Sequence, residues 1–107
     1  MTIGGRVNAE RLAQELGVPM DGVARILGSS ERFLRRYPEA PSIQSRALRL
    51  IERLRALAEE VGSLELVAAW LRTPADELGG ISTVSVLENR FDVGLAFVDQ
   101  WLAMTPD

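Results

Sequence analysis

The chain has 107 residues, 47% of them hydrophobic and 25% charged, which is typical of one globular domain or two small helical units that share a core. It contains no cysteine and no histidine, which excludes disulfides, thiolate nucleophiles and the commonest general base. We therefore expect a protein that is not an enzyme and holds no cofactor or metal. Its apolar runs are too short to cross a bilayer and no signal-peptide pattern opens the chain, so we expect a cytoplasmic protein with no membrane partner.

Three short helices are predicted in the N-terminal part of the chain. The first ends at Gly17 and the second at Gly28, each after apolar residues at helical spacing. Ser29 or Ser30 can cap the third helix, which ends before Pro38 because proline disfavours a helical conformation in the residue before it.

A long fourth helix is the clearest element in the sequence. Apolar residues recur every three or four positions from Ile43 to Val61, and Gly62 closes the run. Ser63 can cap a fifth helix, and a short sixth helix is predicted over Thr83–Glu88.

A seventh helix is predicted after Asp92. Its predicted buried side consists of Val93, Phe97, Trp101 and Leu102. Because no segment alternates with period two, we expect an all-α fold. We divide it into residues 1–62, a helix-turn-helix-like unit with the long connecting helix, and residues 63–107, a small helical module.

The segment from Met20 to Tyr37 has the pattern of a helix-turn-helix, in which two short helices pack across a tight turn at Gly28. The residues predicted to face inward are Val23, Ala24, Leu27, Leu34 and Tyr37. An overlapping window with its turn at Gly17 also fits. Its inward-facing residues are Leu12, Ala13, Leu16, Val23 and Ile26.

The second helix of a helix-turn-helix faces DNA, and the two windows offer different side chains there. The later window offers Ser29, Ser30, Arg32, Arg35 and Arg36, whereas the earlier window offers Asp21 and Arg25. Phosphate binding needs cations and hydrogen-bond donors, so we predict that the later set contacts DNA. A purely structural three-helix unit that touches no DNA remains an alternative.

Charge is distributed unevenly along the chain. Residues 1–55 carry ten arginines and six acidic residues, whereas residues 56–107 carry two arginines and nine acidic residues. This asymmetry suggests two kinds of partner. Arg46, Arg49 and Arg53 are predicted to form a stripe on the exposed side of the fourth helix, either as a solvated face or as contacts to phosphates.

The stretch from Trp70 to Gly80 combines a tryptophan with strong backbone signals. Thr73 is predicted to cap a short helical turn that has Pro74 at its first position and Asp76 completing the cap. Gly79 can take the left-handed conformation that ends such a turn. Capping explains the acidic residues without a catalytic role, and core packing alone would explain each tryptophan.

The order of residues in this region resembles the C-terminal toxin-binding domain of Xre/MbcA/ParS-type antitoxins. The resemblance covers about Leu64–Leu102 and rests on Trp70-Leu71, Thr73-Pro74, Leu78-Gly79-Gly80, a Ser-Thr pair and Val86-Leu87. The chain departs from the family pattern at Thr83, where the family usually has proline. It also departs at residues 88–92, which replace a glycine-rich segment, and it lacks the glycine that commonly follows the last helix.

The resemblance implies an antitoxin that binds and occludes a RES-domain, NAD-consuming toxin and represses its own promoter through the N-terminal unit. The implied partners are the toxin and operator DNA, with the chain as a homodimer or in a hetero-oligomer with the toxin. The implied toxin-binding residues are Trp70, Leu71, Pro74, Leu78, Gly79, Gly80, Leu87 and Trp101. Two alternatives remain: a stand-alone helix-turn-helix regulator whose C-terminal half only dimerises, and a scaffold that binds protein but no DNA.

Overall fold

The computed structural model describes residues 2, 3 and 6–104, and within them the fold is all-α, as predicted. Its helices are α1 (Ala9–Leu16), α2 (Met20–Ile26), α3 (Glu31–Arg36), α4 (Pro41–Val61), α5 (Leu64–Arg72), α6 (Thr83–Asn89) and α7 (Phe91–Met104). Two antiparallel strand pairs accompany them: β1 (Thr2–Ile3) with β2 (Arg6–Val7), and β3 (Pro74–Ala75) with β4 (Ile81–Ser82). A 3-10 helix (Asp76–Leu78) lies between β3 and β4.

Side-chain oxygens begin four of these helices. Asn8, Ser30, Ser63 and Ser82 each accept a hydrogen bond from the backbone N–H three residues further on, at 3.0 to 3.2 Å. These bonds satisfy N–H groups that have no partner inside the helix, which is why the elements begin at these residues. The predicted cap at Ser63 is confirmed, and Ser30 rather than Ser29 caps the third helix.

One hydrophobic core unites the helices. On the apolar side of α4, Ile43, Leu50 and Leu54 are buried, whereas Val61 at the end of the predicted stripe is 44% exposed. Helix α5 packs on α1 and α4, α6 packs on α2, and α7 packs on α4 and α6. Helices on both sides of Gly62 therefore contribute to the same core, and the C-terminal surfaces are held rigidly against the N-terminal helices.

The buried side of α7 differs from the prediction. Val93 and Trp101 are exposed, and the helix instead buries Phe91, Leu95 and Val98. Gly94 faces α6, and a Cβ there would lie 2.6 Å from Leu87 Cδ2 and 3.1 Å from Leu87 Cα. This close approach sets the rotation of α7 about its axis. Because apolar residues occupy most of the circumference of this helix, their spacing alone predicted the wrong side.

Candidate functional site

The segment predicted as a helix-turn-helix folds as two helices, α2 and α3, joined by a turn. Val23 and Ala24 on the first helix, Leu27 directly after it and Leu34 on the second helix are buried, as predicted. Gly28 lies in the turn with φ +74°, a conformation that a residue with a side chain rarely adopts. The prediction for Tyr37 was wrong: the ring is 49% exposed, because α3 ends at Arg36 and the backbone turns away from the helix.

Burial does not decide between the two overlapping helix-turn-helix windows, because α2 packs against both α1 and α3. The charges around Arg25 do distinguish them. Its Nη1 lies 3.2 Å from Asp21 Oδ2 and its Nη2 lies 3.4 Å from Glu88 Oε1. The hydrogen bond from Arg25 to Asp21 and the charge of Glu88 raise the pKa of this guanidinium above its ordinary value. An arginine already held by two carboxylates is a poor phosphate contact, which favours the later window.

Helix α3 is exposed on nearly all of its surface, since Leu34 is its only buried residue. Arg35 pairs with Glu31 at 2.9 Å. The Arg36 guanidinium lies 5.7 Å from the centre of the Tyr37 ring. Within the described part of the chain, Arg32 takes part in no ion pair. Helix α3 therefore presents two arginines, Arg32 and Arg36, that form no ion pair with the described carboxylates.

The two predicted serine contacts have local partners. Ser30 Oγ accepts from the Phe33 backbone N–H at 3.1 Å, so it serves first as the helix cap. Ser29 Oγ donates to the Ser30 carbonyl at 3.3 Å. Neither serine is buried, and each hydroxyl keeps hydrogen-bonding capacity for a second partner.

The arginine stripe on α4 has a role that neither sequence interpretation anticipated. Arg53 makes two hydrogen bonds to Asp99, at 2.8 and 3.2 Å, and Arg49 bonds Asp92 at 3.1 Å. The Arg46 guanidinium lies 5.0 Å from the centre of the Phe91 ring. All three arginines thus connect α4 with α7, so the stripe is more than a solvated face, and its contact with phosphates stays a prediction.

These pairs also account for part of the charge asymmetry. Three acidic residues of the C-terminal half, Glu88, Asp92 and Asp99, pair with arginines of the N-terminal half. The acidic residues of that half that form no ion pair among the described residues are Glu59, Glu60, Glu65, Asp76 and Glu77. The remaining negative charge therefore lies around the α4–α5 junction and in the 3-10 helix, and the remaining positive charge includes α3.

The predicted cap at Thr73 was wrong. Thr73 ends α5, with its Oγ1 donating to the Ala69 carbonyl at 2.7 Å, and Pro74 pairs with Ser82 in the hairpin of β3 and β4. The prediction of no strand missed this hairpin because two-residue strands are too short to show alternation. Gly79 and Gly80, with φ +75° and +87°, close the hairpin and are exposed.

The structure divides the residues that the family resemblance marks for toxin binding. Leu71 and Leu87 are 0% and 1% exposed, so they belong to the core and cannot present their side chains to a partner. Pro74, Gly79 and Gly80 are exposed on the hairpin, and Leu78 beside them is half-buried. Trp70 is half-buried and Trp101 is 42% exposed, so core packing alone does not describe the second tryptophan.

Trp70 and Trp101 belong to one aromatic cluster, with Phe97 as its third member. The Trp70 and Phe97 rings are stacked with centroids 6.0 Å apart, and the Trp101 ring lies edge-on at 5.1 Å from Trp70. Exposed apolar residues continue the cluster along the same faces of α5 and α7. We call this area the aromatic surface, which consists of Leu66, Trp70, Val93, Phe97, Trp101 and Met104.

The part of the aromatic surface on α7 is visible in the sequence as a regular stripe, although the stripe does not show that it faces outward. Val93, Phe97, Trp101 and Met104 follow at i, i+4, i+8 and i+11, which is one continuous stripe on a helix. Three of its members, Val93, Phe97 and Trp101, belong to the side of α7 that the spacing predicts to face the core. It is instead an apolar side directed outward, since Met104 is 78% exposed.

No protein-family model matches the chain, and neither the curated proteins nor the solved structures that were compared with it include a match. Within the described residues, no helix is long and apolar enough to span a membrane. The same part of the chain contains no cluster of acidic side chains suited to hold a metal ion. Two surfaces of the described residues, α3 and the aromatic surface, expose large apolar side chains that the core does not use.

Proposed function

We propose that this protein is an antitoxin of the Xre/MbcA/ParS type, which binds a RES-domain toxin through the aromatic surface and operator DNA through α3. The observation that carries the proposal is the partly exposed cluster of Trp70, Phe97 and Trp101. It lies in the segment whose residue order resembles the toxin-binding domain of that family. Aromatic residues are enriched at protein interfaces, and a contiguous exposed apolar patch indicates an interaction site.

Inhibition by this surface requires no chemistry from the antitoxin. A protein bound over the mouth of an active site excludes the substrate, so the antitoxin needs only affinity and rigidity. The ion pairs of Arg49 with Asp92 and of Arg53 with Asp99 hold α7 on α4. The rings are consequently in place before the toxin arrives, which lowers the entropy lost on binding.

The charge around the surface indicates what kind of toxin surface fits it. Glu59 and Glu60 at the end of α4 and Glu65 in the first turn of α5 are exposed, and Glu65 is next in sequence to Leu66. Acidic side chains at this end of α5, beside the apolar Leu66, are complementary to an apolar patch that has lysine or arginine next to it. Such complementarity accelerates association and suppresses binding to wrong partners.

Coexpression with a RES-domain toxin tests the toxin half of the proposal. Wild-type chain is expected to restore growth and cellular NAD, and to copurify with the toxin in a fixed ratio. Trp101→Asp should weaken the complex at least about 30-fold, since a tryptophan at an interface centre typically contributes about 2 kcal/mol or more. Leu48→Asp on α4 is the matched control, because Leu48 has a similar exposure and lies outside the aromatic surface.

Two outcomes would contradict the toxin-binding proposal. If Trp101→Asp neutralises as well as wild type at equal expression, the aromatic surface is not the toxin-binding site. If wild-type chain neither binds nor neutralises any RES-domain protein, the antitoxin proposal fails, and the stand-alone regulator takes its place provided that DNA binding is found.

Gel-shift titration of the DNA upstream of the gene tests the second half of the proposal. Arg32→Ala combined with Arg36→Ala should weaken binding and lower the slope of log K against log salt by about 0.9 for each phosphate that is no longer neutralised. Arg11→Ala combined with Arg55→Ala removes the same charge outside α3 and serves as the control. An equal weakening in both double variants would show that net charge, rather than α3, accounts for binding.

A further inference from the structure

Helix α3 exposes two aromatic rings that the core does not use. Phe33 is 42% exposed and Tyr37, the residue after the helix, is 49% exposed. Their centroids lie 5.1 Å apart with the ring planes tilted by 49°. A shallow cleft runs along the two rings and continues over Pro38 and Ala40. Because Leu34 alone anchors α3 in the core, packing does not explain why two large apolar groups face solvent here.

The charges beside these rings identify the class of partner. Arg32 and Arg36 are one helical turn apart, where like charges repel, and a polyanion would remove that repulsion. The one acidic residue of α3, Glu31, is already paired with Arg35. Glu39 also lines the cleft, so the segment from Glu31 to Glu39 carries three arginines and two carboxylates, a net charge of +1. The rings therefore lie in a region of net positive charge.

Two other partner classes fit this surface less well. A second copy of the chain, paired by two-fold symmetry, would bring the same arginines of both copies together at the interface. A membrane surface requires a larger apolar face than a helix of six residues provides. Nucleic acid supplies both phosphates for the arginines and an apolar group for the rings.

We propose that Phe33 and Tyr37 recognise thymine through its C5-methyl group in the major groove, while Arg32 and Arg36 contact the flanking phosphates. The inference rests on the proposed binding of DNA by α3 and adds the base that is recognised. The thymine methyl is the apolar feature of the base edges in that groove, and phenylalanine is one of the side chains that contact it. Rings 5.1 Å apart can reach adjacent base pairs, which are about 3.4 Å apart along the helix axis.

The test removes the methyl group and nothing else. The full-length chain first selects its preferred duplex from a library of random duplex DNA. Each thymine of that duplex is then replaced in turn by deoxyuridine, and dissociation constants are measured for wild type, Phe33→Ala and Tyr37→Ala. Leu48→Ala, an exposed apolar truncation on α4 outside both proposed surfaces, is the control. Circular dichroism and thermal midpoints confirm that all the variants are folded.

Deoxyuridine at one or two adjacent positions is expected to weaken wild-type binding about fourfold each, the factor that corresponds to burial of one methyl group. Phe33→Ala or Tyr37→Ala should be insensitive to the same replacement, whereas Leu48→Ala should respond as wild type does. This coupling between one ring and one methyl is a readout that a merely structural role of the ring would not produce.

The other outcomes overturn the inference in distinguishable ways. A selected duplex that binds equally well with thymine and deoxyuridine at every position leaves DNA binding intact but refutes methyl recognition. Equal sensitivity in wild type and both ring variants assigns the methyl to another residue. If no duplex is enriched, the DNA half of the proposed function fails together with the inference. Binding to anionic phospholipid vesicles that is abolished in Phe33→Ala would then identify the surface as membrane-binding.

Discussion

Replacing Leu87 by alanine and Gly94 by alanine should each destabilise the protein, but the two changes together should partly compensate. A Cβ at position 94 would lie 2.6 Å from Leu87 Cδ2 and 2.8 Å from Leu87 Cγ. Leu87→Ala removes both of those atoms. The single variants therefore leave a cavity or overfill the contact between α6 and α7, while the double variant puts a methyl group into the space that the leucine vacates.

The expected magnitudes follow from this geometry. Leu87→Ala should cost about 3 kcal/mol, from three buried carbons at about 0.8 kcal/mol each plus the cavity that remains. Gly94→Ala should cost about 1 to 2 kcal/mol, because overpacking of about 2 to 3 kcal/mol is offset by about 1 kcal/mol of helix propensity. The double variant removes the two closest contacts of the new methyl group and leaves the one to Leu87 Cα at 3.1 Å, while the gain in helix propensity stays. Its total cost should fall about 2 kcal/mol below the sum of the single costs.

Urea unfolding followed by far-ultraviolet circular dichroism measures all four proteins of this cycle. Ala96→Gly is the matched control, because Ala96 lies on the exposed side of α7 and reports helix propensity alone. Additivity of the two single variants within about 0.5 kcal/mol would refute the reasoning. So would a stabilising Gly94→Ala, since it would show that α6 and α7 do not approach this closely.

Three further predictions concern the supports of the C-terminal surfaces. Arg53→Met should cost about 1 kcal/mol in urea unfolding, because it removes a two-point pair with Asp99, and the difference from wild type should shrink in about 1 M NaCl. Gly80→Ala should lower the thermal midpoint by about 4 °C through strain at φ +87°, since nothing lies within 4 Å of an added Cβ; a far larger decrease would reveal a contact there. Ser82→Ala should cost about 1 kcal/mol by removing the cap of α6, and an unchanged midpoint would contradict that role.

Much of the helical framework was predictable because its causes are local. The start of α5 follows from Ser63, and the end of α4 follows from Gly62, residues whose own chemistry favours a helix boundary. The buried side of α4 followed from strict helical spacing of apolar residues, since its charged residues lie on the other side.

The structural predictions were wrong where the local sequence is compatible with more than one conformation or more than one buried side. Helix α7 is apolar around most of its surface, so only its contact with α6 through Gly94 decided which side is buried. Thr73-Pro74 fits both a helix start and a strand, and the pairing of Pro74 with Ser82 decided for the strand. The prediction extended α3 by one residue, to Tyr37, whereas the helix ends at Arg36.

The candidate surfaces were predictable only in part for the same reason. The arginines of α3 were identified from residue type, and their exposure follows from the single inward residue Leu34. The assignment of Leu71 and Leu87 to a partner came from residue order, which does not reveal burial. Nor did the sequence reveal that Phe97 would join Trp70, because these rings lie on different helices.

By itself, the sequence determined that this protein is all-α, where most of its helices begin and end, and that arginine is concentrated in its first half. Those properties depend on neighbouring residues, and short-range physics decides them. Only the tertiary structure decided which arginines are used in holding α7 and which remain on α3. It alone gathered Trp70, Phe97 and Trp101 into one exposed surface, because the side that a helix buries depends on the neighbours it packs against.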